Sequence, residues 1–77
     1  MKKIDKEGKK YLKRFGQHVK VLRKREGLTQ VQLAEIIGTK HPQIGRLERG
    51  ETNISILSMR TLAWALHVSV EELVRIE

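Results

Sequence analysis

Apolar residues recur along this chain at helical spacing, and no stretch alternates as a strand would. Tyr11, Phe15, Val19 and Leu22 fall on one face of a helix, which the pattern places from about Lys10 to Glu26. Gly27 stops that helix, and Gly16 inside it costs about 1 kcal/mol relative to alanine, a sign of close packing. Thr29 and Gln32 form a capping box ahead of Leu33, Ile36 and Ile37, and Gly38 ends this second helix after little more than two turns. A third short helix is expected over His41 to Arg49, with Pro42 in its first turn, Ile44 and Leu47 turned inward and Gly50 as its stop. After a loop over residues 50–55, Ser55 caps a fourth helix, Ile56 to about His67, that buries Met59, Leu62, Ala63 and Leu66. Ser69 with Glu72 makes a second capping box and opens a last helix running to the C-terminus. The expected architecture is all-α: a compact five-helix bundle forming one domain over residues 1–77.

Seventy-seven residues, 39% of them hydrophobic, allow one small core. The absence of cysteine removes disulfides and thiolate metal sites, so stability must come from helix packing or a second subunit. No apolar run approaches the ~18 residues of a membrane span or resembles a signal-peptide core. The expectation is therefore a cytoplasmic protein.

The net charge of +7 is unevenly placed. Residues 1–26 carry eleven Lys and Arg against three acids, whereas residues 27–77 are close to neutral. Such a bias favours a polyanion. Residues 1–9 read either as a basic arm for nucleic acid or as a mobile, solvated tail. A membrane surface is a weak alternative, because the apolar face of the first helix is committed to the core.

Residues 29–49 have the dimensions of a helix-turn-helix: two short helices joined through Gly38-Thr39-Lys40, with the small Ala34 where they cross. With Ile44 and Leu47 inward, His41, Pro42, Gly45 and Arg46 are left on the outer face of the third helix. Such a face can enter a DNA major groove.

From Phe15 to Leu73 the sequence resembles the Cro and phage-repressor type (XRE-like) helix-turn-helix family. The likeness is carried by Phe15-Gly16, Leu22-Arg23, Gly27-Leu28-Thr29-Gln30, Leu33-Ala34-Glu35, Arg46-Leu47-Glu48, Gly50, and Leu62-Ala63 with Ala65-Leu66. It implies a bundle of about five helices and a sequence-specific, commonly dimeric regulator of double-stranded DNA. Carried over by position, Lys40, His41, Pro42, Gln43 and Arg46 become the base-reading group, Arg46 being suited to guanine and Pro42 to a thymine methyl. Gln30, Thr39, Arg49, Thr52 and Asn53 become contacts to the DNA backbone, which position the domain without reading sequence. Arg23 and Glu48 resemble a structural ion pair linking the first helix to the end of the third.

Several positions depart from the family pattern. Thr39 is polar where an apolar residue is usual, and Lys40 stands at the N-cap, so Thr39 is a candidate cap instead. Gly45 lacks a base-reading side chain, and His67 stands where glycine often ends the fourth helix.

Leu57 and Trp64, seven positions apart, share a face of the fourth helix opposite its core side. They form either a homodimer surface, exposed apolar area, or a face shielded by the last helix through Val70 and Val74. A different functional class, a protein-interaction module of antitoxin or anti-repressor kind, would use the same surface for a protein partner. An enzyme is not expected, since no catalytic grouping or glycine-rich phosphate loop occurs. No cofactor is expected either. His18, His41 and His67 lie on separate elements without ligand spacing, so no metal site is expected.

Overall fold

The computed structural model describes residues 4–76. Five helices follow in order: α1 (Lys6–Arg25), α2 (Gln30–Ile37), α3 (His41–Glu48), α4 (Ile56–Ala65) and α5 (Val70–Val74). No strand occurs among the described residues.

Helix α1 begins four residues before the apolar rhythm indicates. Asp5 caps it, its carboxylate accepting the Gly8 amide at 2.8 Å. Residues 6–9 are therefore helical rather than an arm, and Met1–Lys3 lie outside the described residues. At the other end Lys24 and Arg25 complement the helix dipole, and Gly27 turns the chain with φ +71.

The capping box of α2 is complete in both directions, Thr29 Oγ1 accepting from the Gln32 amide at 3.0 Å and Gln32 Oε1 from the Thr29 amide at 2.8 Å. Gly38 then takes the left-handed conformation, φ +74, reversing the chain within three residues. Lys40, not Thr39, occupies the N-cap of α3, and its side chain makes no capping bond; Pro42 pre-sets the first turn instead.

Helix α4 stops at Ala65, two residues short of the expected end. His67 adopts φ +59, a glycine-like conformation, and Val68 donates back to the Ala63 carbonyl at 3.0 Å. Helix α5 ends at Val74 rather than continuing, because Arg75 is already extended.

One core unites all five helices. Phe15, Val19 and Leu22 of α1 meet Leu33 and Ala34 of α2, Ile44 and Leu47 of α3, Leu62, Ala63 and Ala65 of α4 with Leu66 just beyond it, and Leu73 of α5. Met59 is only half-buried. Two side chains fasten α1 to α5: Tyr11 donates its hydroxyl to the Val74 carbonyl at 2.6 Å, and His18 Nε2 lies 3.2 Å from the Glu72 carbonyl. Gly16 sits directly on the Leu47 and Glu48 carbonyls, the close approach that a glycine inside a helix signals. No described helix is long and apolar enough to cross a membrane.

Candidate nucleic-acid interface

Helix α3 buries Ile44 and Leu47 and leaves His41, Pro42, Gln43 and Arg46 exposed. At 100° per residue, Pro42, Arg46 and Arg49 point directly away from the buried pair. Gln43 faces an open groove that Thr39, Lys40, Thr52, Asn53 and Ser55 also line. The outward surface is thus short, cationic and built on a rigid element.

Gly45 departs from the expected exposure. It points outward but is buried, because Arg49 and Gln30 fold across it. A β-carbon there would lie 3.1 Å from Arg49 Nη1 and 3.7 Å from Gln30 Oε1. The glycine makes room for two neighbouring polar side chains on the helix surface.

A buried network fixes the attitude of α3. Arg23 grips Glu48 through Nε at 2.6 Å and Nη2 at 3.0 Å, and its Nη1 donates to the Leu28 carbonyl at 2.8 Å. Both side chains are more than nine-tenths buried. The Glu48 hydrogen bonds raise the guanidinium pKa above its ordinary value, against the opposing effect of burial, so Arg23 stays charged. Gln30 joins the network, its Nε2 donating to Glu48 Oε1 at 3.0 Å. The start of α2, the end of α3 and the last turn of α1 are therefore locked together. Gln30 retains its second amide hydrogen beside the backbone amides of Gln30 and Val31, which have no intrahelical acceptor, whereas the Gln32 amide is taken by Thr29.

Arg49 has a partner that the sequence did not signal. Its guanidinium reaches Glu51 at 2.9 Å and 3.4 Å just after the end of α3. The hydrogen bond from Arg49 holds the Glu51 carboxyl below its ordinary pKa, and Arg49 is raised in turn. The pair is exposed, so the carboxylate can be exchanged for another anion.

Leu57 and Trp64 are 69% exposed, and Ile56, which the seven-residue spacing passes over, is 79% exposed. Val70 is itself exposed and leaves Trp64 uncovered. These apolar residues lie on α4, and Leu57 also lines the groove that Gln43 and Lys40 border. Among the described residues no cluster of His, Cys, Asp or Glu could hold a metal ion.

A helix-turn-helix family model matches residues 19–73, most of the chain. The chain belongs to the helix-turn-helix family. Within that family it is 40% identical over 59 residues to control protein C.SmaI of Serratia marcescens, covering 77% of this chain and 70% of that protein. It is 37% identical over the same length to the immunity repressor protein of Bacillus phage phi105, of which it spans 41%. Among solved structures, the restriction-modification controller protein C.AhdI from Aeromonas hydrophila superposes with a TM-score of 0.77 at 39% identity, over 80% of this chain and 94% of that one. The master regulator for biofilm formation SinR, solved in complex with DNA, gives a TM-score of 0.72 at 35% identity, over 77% of this chain and 95% of that one.

Proposed function

We propose that this helix-turn-helix protein is a DNA-binding transcriptional regulator that reads double-stranded DNA as a dimer, with α3 in the major groove. One observation supports this most directly: the exposed Pro42–Arg46–Arg49 face of α3 is held rigidly by the buried Arg23–Glu48–Gln30 network. Arg46 reads a base edge, while Lys40, His41 and Gln43 flank it at the start of α3 and Pro42 offers apolar contact. Gln30, Thr39, Thr52 and Asn53 hold phosphates on either side. Arg49 joins them after exchanging Glu51 for a phosphate.

The test begins with selection of bound duplexes from a random pool. Arg46→Ala is expected to weaken binding to the selected sequence by about 1–3 kcal/mol while barely affecting random DNA, and Arg49→Ala to weaken both alike. Equal losses on both DNAs for Arg46→Ala would remove it from base reading.

The exposed Ile56, Leu57 and Trp64 of α4 support a homodimer, since an exposed tryptophan sharing a helix face with a leucine suits an interface anchor. Two copies would place their α3 helices about one DNA turn (~34 Å) apart. Trp64→Glu is expected to leave the helical signal unchanged and to convert a dimer to a monomer in analytical ultracentrifugation. A wild-type protein that sediments as a monomer at high concentration refutes the dimer. The same residues also fit a different protein partner, which would co-purify with the chain.

A further inference from the structure

Helix α1 begins at Lys6, whereas the family match opens at residue 19. The turns in between carry Lys6, Lys9, Lys10, Lys13 and Arg14 against Glu7 alone. At 100° per residue, Lys6, Lys9 and Lys13 fall within one side of the helix, and Lys20 and Lys24 continue it. All five are exposed. Lys10 lies 3.7 Å from Glu7, but no described carboxylate comes within ion-pair distance of Lys6, Lys9 or Lys13. Among the described residues, three cations thus stand in a row with no carboxylate at ion-pair distance.

Gly50 fixes where that row lies. The backbone of Lys13 packs so closely on Gly50 that a β-carbon there would meet Lys13 Cα at 2.7 Å. One turn further, Gly16 rests on the carbonyls of Leu47 and Glu48. The lysine side of α1 therefore adjoins the loop between α3 and α4, which carries Arg49, Thr52 and Asn53.

We propose that Lys6, Lys9 and Lys13 extend the DNA interface outward and hold phosphates of the duplex beyond the half-site read by α3. This rests on the DNA-binding reading above. Seven residues of helix span about 10 Å, and one DNA strand presents a phosphate every ~3.4 Å of axis, so the row can track one strand. A lipid surface fits less well. Tyr11 is bonded to α5 and Phe15 is in the core, and the exposed apolar groups Ile4, Tyr11 and Val21 stand seven and ten residues apart rather than forming a continuous face to insert.

The test compares the full chain with a Lys6→Gln/Lys9→Gln/Lys13→Gln variant on selected DNA of two lengths, one ending at the half-site edges and one extended by about 10 bp each side. On the longer duplex the variant's plot of log K against log salt is expected to be shallower by about 2.7. Between about 50 and 200 mM salt it then loses about forty-fold less affinity than wild type. On the shorter duplex the two proteins bind alike, and both melt alike by circular dichroism. A triple Lys→Arg variant keeps the wild-type slope, which identifies the charge as the cause. Equal slopes on the longer duplex, or an equal change on both lengths, would overturn the proposal. So would loss of binding to phosphatidylserine vesicles with the DNA slope unchanged. If wild type binds neither duplex, the DNA-binding reading itself falls; if it binds both and only the length effect is missing, that reading stands and this proposal alone fails.

Discussion

Glu48→Ala is expected to remove about 3–5 kcal/mol of folding stability, the largest loss of any single polar substitution in this protein. A chain of 77 residues has about 4–12 kcal/mol in total, so much of the population would unfold under mild denaturant. The reason is what the substitution leaves behind. Arg23, with its side chain 8% exposed, would keep only the Leu28 carbonyl as a partner, and the Gln30 amide would lose its acceptor. Removing both charges is a different experiment. Arg23→Met with Glu48→Leu strands nothing and fills a similar volume, so it should recover most of the loss. Urea unfolding followed by the helical circular dichroism signal measures both variants; fluorescence suits this less, because Trp64 is already exposed in the native state. A single-variant loss below about 1 kcal/mol would mean that water reaches Arg23, and that the pair does not orient α3.

That network was only half legible in the sequence. The likeness to phage repressors suggested Arg23 and Glu48 as partners, but nothing in the spacing of Gln30 signalled a third member. The local elements were clearer where a cap or turn has a chemical signature: the Thr29–Gln32 box, the caps Ser55 and Ser69, and the left-handed Gly38 and Gly50 all lie where the residue types place them. Boundaries without such a signature were missed. The first turn of α1 has little buried apolar surface, so periodicity began only at Tyr11, while its real start depends on the Asp5 side chain. The end of α4 was read late because His67 takes a conformation normally signalled by glycine. At the interface, exposure depends on which long side chains lie across the surface. Gly45 is covered by Arg49 and Gln30, and Arg49 turns to Glu51 two residues on, a pairing outside any helical spacing rule.

Gly16→Ala carries the other large expected effect, and its sign runs against helix propensity. In an open helix the change would gain about 1 kcal/mol. Here the new β-carbon would stand 2.5 Å from the carbonyl oxygens of both Leu47 and Glu48. Those are backbone atoms at the end of α3, with no flexible side chain to swing aside. Helix α1 must withdraw until the contact reopens to about 3.5 Å. Arg23 lies seven residues later on nearly the same face of α1, so that movement also strains its 2.6 Å bond to Glu48. A net loss of about 1–3 kcal/mol is expected, with reduced DNA affinity in the molecules that remain folded, because the tilt of α3 depends on this contact. Gly8→Ala is the internal control. It lies in the first turn of the same helix, but its closest neighbours are side-chain atoms, Ile4 Cγ2 at 2.9 Å and Asp5 Oδ1 at 3.3 Å, and the Ile4 side chain can rotate away. Gly8→Ala is therefore expected to be neutral or to gain up to about 1 kcal/mol in the same thermal melts. Equal melting temperatures for the two variants would show that α1 and α3 are not in backbone contact at Gly16, and the rigid mounting of α3 would lose its physical basis.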